Sequence, residues 1–358
     1  MSVEEKKEAR STAIEPFRQI GRSIIASRYN YDGEAYRDLN DVQHSMKLQI
    51  DQKISDGVYQ FEKIDCIICG SQDMDVIAGK DRNGLYCPLV VCQSCGLIQA
   101  NPRMTEASYA AYYDSEYRPL DTALSDFARD VFDNQYPRGK RVLAFLKQHG
   151  VTERMPKDAF VVEVGCGAGG ILKAFQEEGY RVAGVDLGST AIAYGRDTYG
   201  LDLRLGTLGE AEFDEAPDLI IYSHVLEHIL DPRAELQKIR GILKPGGFVY
   251  IEVPGVRHLR RSSYDFLDTL QNAHVTYFTL KTLRNLLEAE GYKLVAGTEF
   301  IFSVFQNANA ERPSAPANDY STVVRFLRNV ELERRIFPIP PLKILRRTKA
   351  FLASLFSK

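Results

Sequence analysis

From Phe160 to about Phe305 the chain alternates two textures: short, almost unbroken apolar runs, and longer stretches in which apolar residues recur every three or four positions. The first suits strands buried on both faces and the second suits helices that cover them, so the pattern predicts an α/β fold with a doubly wound parallel sheet. The predicted strands are 160–164, 181–186, 202–205, 219–223, 247–253, 293–295 and one near 300–305. Helices fill the gaps near 171–178, 191–199, 234–243 and 280–290.

Other stretches read differently. Residues 61–103 carry short apolar runs, glycines and cysteines, including the run 85–92, and predict a small β-rich module bounded by Pro102. Residues 1–60 mix charge with short apolar stretches such as 17–26, which predicts a helical extension on the surface. Residues 104–150 predict a helical linker, with Tyr109, Tyr112, Tyr113 and Tyr117 ahead of a long helical pattern over 125–149. A segment rich in Pro, Ala and Asn, 307–318, then marks a linker. The sheet domain accordingly occupies 151–306, and 307–358 form a linker and a C-terminal helix. That helix places Leu345, Leu352, Leu355 and Phe356 on one face with Lys343, Arg346, Arg347 and Lys349 nearby. Such a basic amphipathic tail packs on its own protein or a second subunit, or lies on a membrane surface or partner.

Composition narrows the choice of function. With 358 residues, 44% hydrophobic and 26% charged, the chain has ordinary globular composition and room for one large and one small domain. A net charge of -3 and a pI near 6.1 argue against a general binder of nucleic-acid backbones. The first ten residues are charged rather than apolar, and no run reaches the length of a membrane span. The expectation is a cytoplasmic protein, with membrane association only through the tail.

Four of the six cysteines form two C-x2-C-G knuckles, Cys66 with Cys69 and Cys92 with Cys95, while Cys87 and Cys166 stand apart. In a chain without an export signal this spacing points to metal ligation rather than disulfides. Four thiolates make a closed tetrahedral zinc site with no open position for water, so the metal's role is structural. It supplies folding free energy that so small a module lacks.

The second chemical signal is a glycine loop. Val161 to Gly170 read as a strand end followed by glycines at 165, 167, 169 and 170, directly before a helix. Glycines there let a ligand approach the backbone and the helix N-terminus closely. Taken alone, Gly165, Gly167 and Gly170 also fit a dinucleotide site. Glu163 favours a different ligand, because a carboxylate beside the loop accepts from an ammonium and repels a pyrophosphate. Asp186 ends the next strand at the spacing of a ribose-binding acid.

EVGCGAG, GVDLG, HVLEHILDP at 224–232 and ILKPGGFVYIEVPG at 242–255 follow in order. This series resembles the class I methyltransferases that use S-adenosylmethionine (SAM), and more narrowly the sugar and natural-product methyltransferases with an N-terminal zinc-binding segment. The resemblance covers about residues 64–305. It implies a Rossmann-like methyltransferase sheet, mostly parallel with an antiparallel last strand. It implies that Gly165, Gly167 and Gly169 cradle the methionine end of SAM. Asp186, beside Leu187, would hold the ribose, and Gly206, Thr207 and Leu208 the adenine. His224 would sit near the sulfonium, and Tyr113 and Tyr117 with the zinc module would wall the acceptor pocket.

Methyl transfer needs an aligned acceptor and a base. The stretch Asn272-Ala-His-Val-Thr-Tyr-Phe-Thr279 resembles the family's H-x-x-Y-F-T pattern, which implies His274 as base with Tyr277 beside it. A histidine suits proton removal near neutrality. Carbon-methylating relatives place a glutamate before that histidine, where this chain has Ala273, so a hydroxyl oxygen is the more economical acceptor. Arg257 and Arg260 belong to a basic stretch that binds a phosphate on a nucleotide-linked sugar or forms a solvated loop. The expected partner is therefore a small molecule, a sugar or nucleotide-sugar of polysaccharide or natural-product biosynthesis, and not nucleic acid. Competing readings are an RNA-modifying methyltransferase, an inactive scaffold and a nicotinamide-dependent oxidoreductase.

Overall fold

The computed structural model describes residues 21–121, 127–260, 265–308, 313 and 315–336. The tail from 342 on, where the basic amphipathic helix is expected, lies outside them. The chain divides into two compact units. One comprises residues up to 122, 256–277 and 318 onward, and the other 123–255 and 278–317.

The described part of the first unit begins with an extended segment, and a surface helix of the kind expected in residues 1–60 comes after it. Ile24 N donates to Val76 O at 2.9 Å and Tyr29 is fully buried. Helix α1 (Asp41–Ser55) follows, started by a capping box between Asn40 and Gln43. Strand β1 (Phe61–Glu62) pairs with β5 (Arg103–Met104). Between them β2 (Met74–Lys80), β3 (Tyr86–Cys92) and β4 (Ile98–Ala100) form an antiparallel sheet, the small β-rich module expected from the sequence. Helices α2 (Glu106–Ser115) and α3 (Tyr117–Asp121) close this stretch.

The second unit opens with α4 (Phe127–Gln148) and continues through β6 (Phe160–Val164), α5 (Gly170–Glu177), β7 (Arg181–Asp186), α6 (Ser189–Tyr199) and β8 (Leu203–Leu205). After these come β9 (Leu219–Ser223), α7 (Pro232–Ile242) and β10 (Phe248–Glu252). The chain then returns to the first unit for α8 (Phe266–Thr269) and β11 (Thr276–Tyr277). Helix α9 (Leu280–Ala289), β12 (Tyr292–Gly297) and β13 (Phe302–Asn307) belong to the second unit again, and α10 (Tyr320–Ile336) to the first.

Seven strands of the second unit form one sheet in the order β12-β13-β10-β9-β6-β7-β8. The ladders are parallel from β10 to β8, while β13 runs antiparallel to both β10 and β12. This is the doubly wound, mostly parallel sheet with an antiparallel last strand that was expected. Strand order reverses at β6, which pairs with β7 on one side and β9 on the other, and ligands of open α/β sheets gather at the carboxyl ends around such a point. Its core joins Val161, Ile221 and Tyr250 of the sheet to Leu146 of α4 and Phe175 of α5.

Three expected boundaries change. Residues 104–150 are not one linker, because α2 and α3 belong to the first unit and α4 to the second. Residues 256–277 leave the sheet domain: β11 adds antiparallel to β4, and Phe266, Leu270 and Tyr277 enter the first unit's core. Nor does the fold end at the 307–318 linker, since Val323, Val324 and Leu327 of α10 are buried in that same core. Among the described residues no helix is long and apolar enough to cross a membrane.

Candidate functional sites

The central strands of the second unit are buried along their length and turn polar at one end. Glu163 is the next-to-last residue of β6, Ser223 the last of β9 and Glu252 the last of β10. Parallel pairing brings these ends to one edge, with Glu252 opposite Ser223 in the ladder. The glycine loop starts there. Gly165, Gly167 and Gly169 have φ of 69°, 52° and 77°, the left-handed region that side chains disfavour. At Gly165 a Cβ would also stand 2.4 Å from Val225 Cγ2.

Asp186 ties this loop to the end of β7. One carboxylate oxygen accepts from Gly167 N at 2.9 Å and the other from Gly188 N at 2.6 Å, each retaining capacity for a hydroxyl donor. A cavity of about 370 Å³ opens beside it, lined by Gly165, Asp186, Leu187, Gly206, Thr207 and Leu208 among the expected residues. Leu187 is 75% exposed, an apolar surface suited to a flat ring. Thr207 is less free than expected: its N and its hydroxyl both donate to Glu210 Oε2 at 2.8 Å. Val225, Ile229, Glu235 and Lys238 also line it and were not foreseen. Tyr222 Oη donates to Glu235 at 2.5 Å, so that carboxylate is braced from the sheet.

Glu163 is almost fully buried, and its Oε2 has no hydrogen-bond partner among the described residues. Burial pushes its carboxyl well above the usual range, opposed by the nearby Arg138. Arg138, on α4, is a site residue that the sequence analysis missed. Its Nη1 donates to Ser223 Oγ at 3.4 Å and its Nε lies 3.9 Å from Glu252 Oε1.

His224 does not match a proton acceptor. It is one of two non-glycine residues with positive φ among those described, at 58°, and its N donates to Glu252 O at 2.7 Å. Nδ1 lies 3.4 Å from Glu227 and Nε2 3.5 Å from Glu252. Burial lowers its pKa, but hydrogen bonds to the two carboxylates outweigh that and raise it to about 9. At neutral pH the ring is an imidazolium, a donor clamped between two acids, with no lone pair to take a proton.

In the first unit the four cysteines converge. Cys66 and Cys95 Sγ are 3.5 Å apart, as are Cys69 and Cys92 Sγ, and all four sulfurs lie within 4.8 Å of one another. A tetrahedral zinc with Zn–S near 2.3 Å would set sulfur separations of roughly 3.8 Å, so the cluster fits such an ion. Each knuckle closes on itself: Gly70 N donates to Cys66 O and Gly96 N to Cys92 O, both at 2.8 Å.

The other expected residues of the first unit surround the segment 270–277. His274 is 6% exposed. The hydroxyl of Tyr277, expected beside it as a catalytic group, is buried and bonded to the backbone: it accepts from Gln271 N at 2.9 Å and donates to Gln271 O at 3.2 Å. Burial drives the Tyr277 pKa well upward, which opposes proton exchange. The Tyr113 hydroxyl donates to Ala273 O at 3.2 Å, and Tyr117 meets the Tyr113 ring edge-on at 4.9 Å. Arg257 stands 4.0 Å from the buried Asp319, with which a bound phosphate would have to compete. The side chain of Arg260 lies outside the described part.

Residues 135–296 match the family model described as a methyltransferase domain. Among curated proteins the chain is 31% identical over 96 residues to a ubiquinone biosynthesis O-methyltransferase of Bradyrhizobium sp. (strain ORS 278), covering 25% of this chain and 38% of that protein. It is 29% identical over 140 residues to the C-methyltransferase NovU of Streptomyces niveus, covering 38% of this chain and 33% of that protein. The chain thus spans well under half the length of these relatives. Among solved structures it is similar to DesVI of Streptomyces venezuelae, with TM-score 0.30, 22% identity and coverage of 35% and 56% of the two chains. A SAM-dependent methyltransferase of Methanosarcina mazei gives TM-score 0.36, 19% identity and coverage of 45% and 97%. The match to a methyltransferase domain thus falls on residues 135–296.

Proposed function

We propose that this protein transfers a methyl group from SAM to a hydroxyl oxygen of a small acceptor, a free or nucleotide-linked sugar. The observation that carries the reading is the unpartnered Glu163 Oε2 beside the glycine loop. A buried, unsatisfied acceptor is costly unless a ligand completes it, and an ammonium does so. Arg138 supplies the complementary donor for an α-carboxylate, so the pair suits an amino-acid zwitterion. Asp186 holds the ribose hydroxyls, and Leu187, Leu208, Val225 and Ile229 give the adenine an apolar slot.

Bound there, SAM supplies a methyl group already activated on a sulfonium. The chain's own residues bind and orient, and His274 takes the proton of the acceptor hydroxyl. Ala273 before that histidine favours oxygen over carbon, because no carboxylate stands there to support abstraction from carbon. The relatives' names include both O- and C-methyltransferases. The four cysteines hold a structural zinc. The acidic balance of the chain supports a small-molecule acceptor over nucleic acid.

Isothermal titration with S-adenosylhomocysteine, and separately with NAD, tests the cofactor, and metal analysis of the same sample tests the zinc. Micromolar binding of the first, none of NAD, and one zinc per chain are expected. Labelled SAM offered with nucleotide sugars and with free sugars then identifies the acceptor class. Failure to bind S-adenosylhomocysteine overturns the proposal.

A further inference from the structure

The segment that carries His274 is irregular until β11, yet its backbone is held closely within the first unit. Leu270 O accepts from Arg82 N at 3.0 Å, Gln271 O from His274 N at 3.0 Å and Val275 O from Ala100 N at 2.9 Å. The two residues immediately before His274 are held differently, by side chains. Asn272 N donates to Asp81 Oδ2 at 3.3 Å, Asn272 O accepts from Tyr109 Oη at 3.2 Å, and Ala273 O accepts from Tyr113 Oη at 3.2 Å.

These three side chains are themselves fixed. Asp81 lies at the tip of the β2–β3 hairpin of the cysteine module, where its Oδ1 accepts from Asn83 N at 2.8 Å and Leu85 N at 2.9 Å. Tyr109 and Tyr113 are one turn apart on α2, so both hydroxyls project from one helix face. A hydroxyl can be deleted from either ring without changing the apolar packing. Tyr109, buried, and Tyr113, half-buried, meet successive carbonyls with their hydroxyls and therefore place a specific peptide pair rather than merely fill space.

We propose that Asp81, Tyr109 and Tyr113 are positioning residues that set the orientation of the His274 imidazole, an assignment that rests on reading His274 as the base. Two consecutive peptide units are locked just ahead of the histidine, which restricts where its Cβ can point. Tyr113 then serves the base rather than the acceptor through its hydroxyl. A base displaced by about 1 Å loses on the order of a hundredfold in rate, which gives these hooks their kinetic weight.

The test uses the full-length, zinc-loaded protein and imidazole nitrogen NMR, with the His274 signal assigned by its loss in His274→Gln. Tyr109→Phe, Tyr113→Phe, the double variant and Asp81→Asn are compared with the parent. Burial raises the Asp81 carboxyl to about 6, so a neutral asparagine removes a buried charge and leaves a variant able to fold. The expected result is a changed tautomer ratio, or a titration midpoint moved by about 0.5 pH or more, at His274 with the other histidine signals in place. Identical His274 signals in all four variants, with only the melting temperature lowered, overturn the proposal in favour of a purely folding role. S-adenosylhomocysteine titration of the same samples separates the two readings. Unbound ligand in the parent defeats the methyl-transfer reading, whereas unchanged binding alongside unmoved His274 signals defeats only this one.

Discussion

Strands β6, β9 and β10 of the second unit are apolar and buried until their last residues, and α5 follows β6 directly into the same core. The first unit also has an apolar core, around Tyr29, Leu89 and Leu327, but it gathers that core from separated parts of the chain. Arg28 reaches Glu331, 303 positions away, while also holding Asp265 at 2.6 Å. Four cysteines from two separate turns also converge on one point. Closing such long loops costs entropy before any contact compensates it, so the first unit relies on specific polar links, and on the zinc proposed for its cysteines, where the second relies on continuous burial.

Metal removal gives the largest test of that contrast. Chelation, or Cys92→Ser, is expected to cost the first unit several kcal/mol and to abolish its melting transition in calorimetry, leaving a separate transition for the sheet unit. A single unchanged transition in metal-free protein would erase the distinction. Next comes Glu163→Gln. Loss of a charge-assisted hydrogen bond is expected to weaken S-adenosylhomocysteine binding by about ten- to a hundredfold in titration. The ligand-free melting temperature should hold or rise, because the variant removes a buried carboxyl whose ionisation burial opposes.

Gly96→Ala sharpens the comparison within the first unit. Gly96 has φ of 83°, and a Cβ there would stand 2.5 Å from Tyr320 N, where the second knuckle meets the start of α10. A loss of about 1–3 kcal/mol in denaturant melts is expected, with zinc content unchanged. The smallest effect concerns His224. Its folded pKa of about 9 lies above the unfolded value, so its stabilisation is fully present below roughly pH 6.5 and disappears as pH rises through 9. With 37% of the side chain exposed, solvent screening holds this to under about 1 kcal/mol. His224→Asn tolerates the positive φ and is expected to flatten the melting temperature between pH 6.5 and 9.

The sequence was legible where burial is local. The strands at 160–164, 181–186 and 219–223 coincide with β6, β7 and β9, because a strand buried on both faces must be written as an unbroken apolar run. Knuckle spacing likewise announced the cysteine cluster. Tyr29 and its extended neighbours were misread as surface, since their partners in β2 lie far along the chain and impose no local period. Arg138 stands among many charged residues of an amphipathic helix and carries no mark of its own. Glu252, closing an apolar run as Ser223 does, was a signal available at the carboxyl edge. The charge on His224 was half visible, with Glu227 three residues on, but Glu252 joins it only through the sheet.

By itself the sequence determined the alternation of strands and helices, the glycine loop with its two acids, and the paired cysteines, because each depends on neighbours within a turn or two of chain. Only the tertiary structure decided that 256–277 and 320–336 join the cysteine module, that His224 is held as a cation, and that Tyr277 and Tyr113 spend their hydroxyls on the backbone before His274. Those outcomes turn on which distant groups share a buried space, where a charge or a donor must find its partner wherever the fold brings one.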